Sequence, residues 1–309
     1  MENNLSVLCN LCPRQCNIDR EISAGFCRAC GNSDNVVVSR AALHFWEEPC
    51  ISGENGSGTV FFSNCNLRCV FCQNFEISAE GIGKEISYKR LAQIFLELQE
   101  KGAENINLVT PTHYCYQILK ALDMVKHKLE IPVVMNCGGY ESAETIKMFD
   151  GYIDIYLPDL KYKSSELSEK YSSCPDYFEK ACEALKEMHR QAPKLTFDEW
   201  SEDDDIKLLK RGLIIRHLVL PGCYHDSLDI LDWLYNCRFM SKYNFLLSLM
   251  SQFTPTKACE EFPELNRRVT TFEYNKVVKK AQELGFNGYI QERSSAKEEY
   301  TPPFDLTGI

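Results

Sequence analysis

The sequence has 309 residues, of which 16 are cysteines, and its 34 Lys and Arg against 44 Asp and Glu give a formal net charge of −10. This acidic balance excludes a protein that binds nucleic acid through a broad basic surface, because neutralising phosphates requires an excess of cations. Hydrophobic residues make up 44% and charged residues 25%, a composition typical of a globular protein. It excludes disorder along most of the length.

No stretch of the sequence predicts a secretory signal or a membrane segment. Residues 1–9 contain Glu2 and no basic residue, and no uncharged apolar run reaches the roughly 18 residues of a membrane-spanning helix. We therefore expect a cytoplasmic protein with no membrane partner. Thiols stay reduced in that compartment, so the many cysteines are expected to include metal ligands and not to form a disulfide framework.

Beyond the cysteine-rich beginning, strands and helices are predicted to alternate. Residues 58–62 are β-branched or aromatic and predict a first strand, which the helical spacing of apolar residues over 88–101 follows. Later strands are predicted over 106–109, 131–135, 152–157, 213–220 and 245–249. The helices between them are predicted over 116–129, 143–149, 177–190 and 227–235. Six strands alternating with helices indicate a parallel sheet that is buried on both faces, as in an open or closed α/β barrel.

The end of the chain carries its own signals. Thr270 with Glu273 three residues later predicts a capping box at the start of a last helix, and Gly285 predicts its end. Tyr289 and Ile290 are candidates for a final strand. We divide the chain into a cysteine-rich segment and lead-in, residues 1–57, and a barrel with a C-terminal helix, residues 58–309. In such barrels the functional groups lie at the C-terminal ends of the strands.

Three cysteines, Cys65, Cys69 and Cys72, directly follow the first predicted strand. A structural zinc site would need a fourth ligand, and no further Cys or His occurs before His113. Three thiolates on a [4Fe–4S] cluster would instead leave one iron open to another ligand. The spacing therefore favours a cluster over zinc.

This Cys-x3-Cys-x2-Cys loop resembles that of the radical S-adenosylmethionine (SAM) enzymes. More narrowly, residues 52–74 resemble the uncharacterised relatives of the pyruvate formate-lyase activating enzyme, and the similarity continues through residues 159–161, 216–222 and 251–255. It covers nearly the whole chain. The resemblance implies a partial (β/α)6, TIM-like radical SAM barrel that binds a [4Fe–4S] cluster and SAM.

The resemblance also implies an activity. A reduced cluster would cleave SAM to methionine and a 5′-deoxyadenosyl radical, which abstracts hydrogen from a substrate. That substrate is either the glycine of a glycyl-radical enzyme, or another protein or small molecule. The reaction implies an electron donor such as flavodoxin or ferredoxin. The alternative of a different class is a non-enzymatic iron–sulfur or zinc protein, which leaves Phe71, Asp159 and Lys161 without a role.

Several residues match SAM contacts of the family. Phe71 matches an aromatic position against the adenine, and Asp159 with Lys161 matches a pair that reaches the ribose hydroxyls and the methionine carboxylate. The second strand of this superfamily often ends in Gly-Gly-Glu, whereas here Thr110 and Thr112 stand in its place and offer hydroxyls to the SAM ammonium group. Further candidates for cofactor contacts are Asn136, Arg216 and His217.

A second group of cysteines precedes the barrel. Cys9, Cys12, Cys16 and Cys27 have the short, uneven spacing of a closed metal site, and Cys30 is an alternative to Cys27 as the fourth ligand. The sequence leaves zinc and a second [4Fe–4S] cluster open. Because this segment contains few apolar residues, we expect metal binding to stabilise its fold. We also expect its loss to leave the later cluster intact.

Overall fold

The computed structural model describes residues 8–29, 33–199, 206–291 and 301–309, so the alternative ligand Cys30 lies outside the described residues. Ten strands are described: β1 (Asn35–His44), β2 (Ser57–Phe62), β3 (Lys84–Ser87), β4 (Ile106–Val109), β5 (Val133–Cys137), β6 (Ile155–Pro158), β7 (Thr196–Phe197), β8 (Leu209–Leu218), β9 (Leu246–Met250) and β10 (Gly288–Ile290).

Nine α-helices are described: α1 (Pro49–Ser52), α2 (Phe75–Ser78), α3 (Tyr88–Glu100), α4 (Cys115–Val125), α5 (Ala143–Met148), α6 (Ser165–Ser172), α7 (Tyr177–Gln191), α8 (Tyr224–Tyr235) and α9 (Thr271–Leu284). Two short 3-10 helices span Thr112–Tyr114 and Lys257–Glu261. None of the described helices combines the length and apolar character needed to cross a membrane.

The strands form one sheet in the order β10-β9-β8-β6-β5-β4-β2-β1-β3, with β7 paired to β8. Every neighbouring pair from β10 to β2 is parallel, while β1 is antiparallel to both β2 and β3. The six predicted strands are all present, and the candidate final strand is β10. The mixed α/β fold with its parallel sheet confirms the predicted fold class.

Strand β1 was not predicted. It lies inside the predicted lead-in, residues 1–57, yet it pairs along β2 from Val38 opposite Phe62 to His44 opposite Ser57. The run Val36, Val37 and Val38 is β-branched and favours a strand, although it lies within the predicted lead-in. The sheet therefore begins before residue 57, and we propose that the cysteine-rich segment ends before β1.

Alternation along the parallel strands separates two environments. Residues on one face, such as Met135 and Ile215, pack in the main core with the surrounding helices. The opposite face contributes Val134 and Ile214 to a second, smaller core beneath α1. Two residues further along β5, β8 and β9, the same face carries the polar residues Asn136, Arg216 and Ser248, because side chains alternate with a period of two. Polar side chains therefore lie near the C-terminal ends of these strands, on the face that carries the smaller core.

The predicted capping box is confirmed. The Thr270 side chain accepts a hydrogen bond from the backbone of Glu273, and the Glu273 side chain accepts one from the backbone of Thr270. Gly285 follows α9 in a left-handed conformation, with φ of 68°. Both ends of α9 thus follow from local sequence, and Tyr274 on this helix donates a hydrogen bond to Leu249 O in β9 over 2.9 Å.

Gly139 controls how the loop after β5 meets the loop after β6. Its φ is +86°, and a Cβ atom there would lie 2.1 Å from Asp159 O and 2.5 Å from Tyr177 Oη. The Tyr177 phenol in turn accepts a hydrogen bond from the Lys161 backbone over 2.9 Å. Since only glycine leaves room for this approach, Gly139 helps to set the position of Asp159 and Lys161.

Gly139→Ala should therefore cost more stability than the same change at Gly151, which has φ of +83° and where a Cβ atom would meet no described atom within 4 Å. Gly151→Ala carries only the left-handed strain, about 1–2 kcal/mol. Gly139→Ala adds a steric cost of about 1–3 kcal/mol. Urea unfolding of both variants measures the difference. Equal losses of unfolding free energy would contradict the close approach.

Candidate functional site

A cavity of about 640 Å³ lies along the inner face of the sheet. This volume is typical of a small-molecule site. Nine of the predicted site residues line it: Cys65, Cys69, Phe71, Cys72, Thr110, Asn136, Asp159, Lys161 and Arg216. The structure thus brings together residues that lie far apart in the sequence.

The cysteine loop begins directly after β2, and its three cysteines line the cavity. Each sulfur accepts a hydrogen bond. The donors are Leu67 N to Cys65 over 3.4 Å, Ser78 Oγ to Cys72 over 3.2 Å, and Ser172 Oγ to Cys69 over 3.0 Å. Donors directed at sulfur favour the thiolate form, which is the form that binds metal.

Burial opposes that thiolate form in the free protein. It raises the pKa of Cys65 to about 12, and it also raises the pKa of Cys72, with the neighbouring thiolates adding to both shifts. A bound cationic centre would reverse this balance and release the protons. Among the described residues, no three His, Cys, Asp or Glu side chains are close enough to hold a single metal ion. The ligand assignment therefore stays a prediction.

Phe71 lies between the second and third cysteines and has two roles in the structure. It lines the cavity, yet only 5% of its surface is exposed. Its ring lies 5.9 Å from the Phe253 ring and 6.3 Å from the Tyr162 ring, measured between centroids. The side chain is therefore a core residue that presents one part of its ring to the cavity.

A network of charges crosses the cavity wall. Lys161 forms an ion pair with Asp159, and Arg216 Nε donates to Asp159 Oδ1 over 3.0 Å. The same guanidinium donates from Nη1 to Glu47 Oε2 over 3.2 Å and from Nη2 to Asn136 Oδ1 over 2.6 Å. Asp159 and Arg216 lie opposite each other in adjacent parallel segments, which explains their contact.

Glu47 was not among the predicted site residues. It lies in the chain between β1 and α1, and its side chain lies inside the barrel, where Asn107 and Asn136 each donate to its Oε1 over 3.2 Å. With Arg216, three strands therefore supply donors to this one carboxylate. The local sequence shows an acidic pair, Glu47 and Glu48, next to Pro49, which does not indicate Arg216 as a partner.

Burial and neighbouring charges shift the pKa values of the network residues in different directions. Burial raises the pKa of Glu47, and the opposing effect of Arg216 is smaller. For Asp159, burial also acts upward, but Lys161 and Arg216 together lower its pKa below the usual value. Burial acts downward on the pKa of Lys161, but Asp159 and Cys69 together outweigh it and raise that pKa. The Asp159–Lys161 pair is therefore held in its charged form.

Two predicted contacts lie away from the cavity. His217 follows Arg216 on β8 and so projects from the opposite face, where its Nδ1 lies 2.7 Å from Leu160 O and its Nε2 lies 2.8 Å from Ser227 Oγ. Burial lowers the pKa of His217 to about 4, as expected for a neutral core imidazole. Thr112 is buried in a 3-10 helix and does not line the cavity either.

The N-terminal cysteines border one pocket, although no three of those that the structure describes are close enough to hold a single metal ion. Cys9, Cys12, Cys16 and Cys27 all line one small pocket. Burial raises the pKa of Cys12 to about 12 and raises that of Cys27, and each of these thiols also interacts with its neighbours in the group. Every cysteine in the described ranges is a free thiol.

Comparison with known proteins identifies the family. The model of the Radical SAM superfamily matches residues 59–200. The chain is also 30% identical over 299 residues to the uncharacterized protein MJ0674 of Methanocaldococcus jannaschii, a match that covers 92% of this chain and 77% of the relative. The chain belongs to the radical SAM superfamily. Membership implies a [4Fe–4S] cluster and SAM as cofactors.

Two proteins of known structure are also similar to this chain. SuiB of Streptococcus suis bound to S-adenosylmethionine matches with a TM-score of 0.49 at 13% identity, over 78% of this chain and 51% of SuiB. Methylornithine synthase matches with a TM-score of 0.47 at 13% identity, over 71% of this chain and 59% of that enzyme. The chain thus spans about half the length of SuiB.

Proposed function

We propose that Cys65, Cys69 and Cys72 hold the [4Fe–4S] cluster of a radical SAM enzyme. The observation that carries this proposal is that three cysteines, each with a sulfur that accepts a hydrogen bond, line one cavity that also contains a charged network. The chemistry of the donor set fits the group, because thiolates are the ligands of iron–sulfur clusters. When bound, the cluster and SAM supply a radical that abstracts hydrogen.

The protein contributes orientation and exclusion of water. We assign Lys161 to the methionine carboxylate of SAM, Asp159 to its ribose hydroxyls, and Phe71 to its adenine. Arg216 orients Asp159 through its hydrogen bond to that carboxylate, and Asn136 in turn holds Arg216 by accepting from its guanidinium. Such a prearranged set of partners can bind a zwitterionic cofactor without reorganising.

Thr110 takes the place of the family's Gly-Gly-Glu segment in this proposal. It lines the cavity, it has φ of +57°, and its backbone N–H donates to Asn136 O over 2.8 Å. A left-handed conformation at a β-branched residue is costly and indicates a functional constraint. We assign its hydroxyl and carbonyl as acceptors for the SAM ammonium group, whereas His217 supports the neighbouring backbone at Leu160 O.

The N-terminal cysteines Cys9, Cys12, Cys16 and Cys27 are proposed to hold a second metal centre, either zinc or a [4Fe–4S] cluster. Their common pocket supports one shared site. Gly25 adds to this support, since a Cβ atom there would lie 2.9 Å from Cys16 Sγ. Metal analysis after anaerobic purification distinguishes zinc from additional iron and sulfide.

The proposal includes a one-electron donor such as flavodoxin or ferredoxin and a substrate that enters the cavity. By resemblance, the glycine of a glycyl-radical enzyme is the first substrate to test, and another protein or a small molecule is the alternative. An activating-enzyme role would appear as a stable glycyl radical in the partner protein, detected by electron paramagnetic resonance (EPR).

The central activity needs no substrate to be tested. Anaerobically reconstituted protein, given dithionite and SAM, should release 5′-deoxyadenosine, which liquid chromatography detects. Cys69→Ala should abolish this release, because the cluster loses a ligand, while Cys182→Ala on α7 serves as a matched control and should retain it. A reconstituted wild-type protein that binds iron but yields no 5′-deoxyadenosine would favour the non-enzymatic alternative.

Lys161→Ala should weaken SAM binding by about 1.5–3 kcal/mol, the range for a hydrogen bond to a charged group. Lys163→Ala is the control, since that lysine lies two residues further along the loop, with Nζ 5.9 Å from the Phe178 ring centroid, and does not line the cavity. Isothermal titration of both reconstituted variants with SAM measures the difference. Unchanged affinity in Lys161→Ala would remove Lys161 from the cofactor site.

A further inference from the structure

The cysteine arm, defined as residues 8–29, packs directly against the cluster loop, defined as residues 63–74. Arg14 makes the principal connection. Its Nε donates to Asn66 O in the cluster loop over 3.0 Å, and its Nη2 donates to Ser172 O at the end of α6 over 3.0 Å. Nη1 of the same side chain donates to Ser173 O. One guanidinium therefore joins three parts of the fold.

Phe26 of the arm makes a second connection. Its ring is contacted by two guanidinium groups, with the Arg14 Cζ 3.8 Å and the Arg68 Cζ 4.7 Å from the ring centroid. Arg68 also donates a hydrogen bond to Phe26 O. Cation–π contacts of this kind favour a defined arrangement of all three side chains.

These contacts adjoin the predicted ligands of both sites. Arg14 lies two residues after Cys12, Phe26 directly precedes Cys27, and Arg68 directly precedes Cys69. A shift of the arm would therefore displace the backbone of Arg68, which directly precedes the predicted ligand Cys69.

The cluster loop has a conformation that needs external support. Arg68 has φ of +55° and Asn64 has φ of +76°, values that are unfavourable for residues with a side chain. Such conformations persist where surrounding contacts determine them. Arg68 has such contacts from the arm, at the ring and the carbonyl oxygen of Phe26.

The Arg14 contacts also reach a hydrogen-bond donor of the cluster loop. Ser172 accepts from Arg14 at its carbonyl and donates from Oγ to Cys69 Sγ over 3.0 Å. The arm thus contacts both the backbone of the loop and the residue that donates to one of its sulfurs.

The order of the arm itself depends on its cysteines. Apart from turns, residues 8–29 contain no helix or strand, and the four thiols line their small pocket between backbone segments. A metal bound there would contribute folding free energy to the arm. Because Arg14 and Phe26 contact the cluster loop, an ordered arm would also stabilise that loop.

We propose that the metal-loaded arm holds the cluster loop in its cofactor-binding conformation, with Arg14 as the positioning residue that couples the two metal sites. The inference rests on the proposed ligand assignments of the two cysteine groups. It replaces the expectation that the cluster survives loss of the N-terminal metal. Since coupling between two sites is reciprocal, cluster assembly also strengthens metal binding by the arm.

Hydrogen–deuterium exchange of the anaerobically reconstituted full chain tests this coupling without relying on catalysis. Arg14→Ala should retain the metal of the arm, yet raise amide exchange across residues 64–73 about tenfold, because the loop opens more often. Cys12→Ala should raise exchange in the same residues by a similar factor. Arg190→Ala is the control, since Arg190 joins Glu187 and Asp150 far from either cysteine group and should leave the loop unchanged.

SAM binding supplies a second readout. Arg14→Ala should weaken SAM affinity about tenfold and reduce the SAM-induced change in the EPR spectrum of the reduced protein. Arg14→Lys should recover little of the SAM affinity or of the EPR change. An ammonium group cannot reproduce the several hydrogen bonds of the planar guanidinium or its contact with the Phe26 ring. Arg14→Lys also provides a milder variant if Arg14→Ala releases the arm.

The outcomes separate the two proposals. Wild-type loop exchange and wild-type SAM affinity in both Arg14 variants and in Cys12→Ala would overturn the coupling. Loop exchange that responds to Arg14 in a protein that releases no 5′-deoxyadenosine would support the coupling and reject the proposed activity.

Discussion

The pairing of Arg216 with Glu47 and Asp159 is the constraint on which the interior of this barrel depends. Charges removed from water are tolerated only when partners and hydrogen bonds replace the solvent, and losing one partner of such a pair costs about 3–5 kcal/mol. Here two carboxylates from distant parts of the sequence approach one guanidinium, and Asn136 completes its hydrogen bonds. The cavity can remain polar because its charges are matched.

That constraint determines which residues face the cavity. Arg216 and His217 are adjacent on β8, and alternation sends the first into the cavity and the second into the helix-facing core. On the loop after β6, the ion pair of Asp159 and Lys161 extends the network towards the cysteine loop, where Cys69 raises the Lys161 pKa further. The cluster loop and the charged residues Asp159, Lys161 and Arg216 therefore interact electrostatically. The arm contacts the same cluster loop through Arg14.

Local patterns in the sequence predicted much of this arrangement. The parallel strands, the capping box at Thr270 and the grouping of both cysteine sets follow from periodicity, from short-range hydrogen bonds and from ligand spacing. Side-chain direction was less predictable. His217 was a reasonable candidate by motif, but the choice between the two faces of β8 depends on which residue meets Asp159 across the sheet.

Contacts between distant residues could not be predicted from one sequence. Glu47 and Arg216 are 169 positions apart, and Arg14 and Ser172 are 158 positions apart. Neither Glu47 nor Arg14 carries a local pattern that indicates its partner. The pairing of β1 with β2 was missed for a different reason, since its β-branched run was visible but lay in a segment assigned to cysteine chemistry.

We propose that the cluster loop and the charged residues Asp159, Lys161 and Arg216 together bind SAM. A crystal structure of the anaerobically reconstituted protein with SAM, with anomalous data collected at the iron edge, tests it most directly. We predict iron density bound by Cys65, Cys69 and Cys72, with the SAM carboxylate within hydrogen-bonding distance of Lys161 Nζ. Iron density absent from these three sulfurs, or SAM bound outside the cavity, would contradict this proposal.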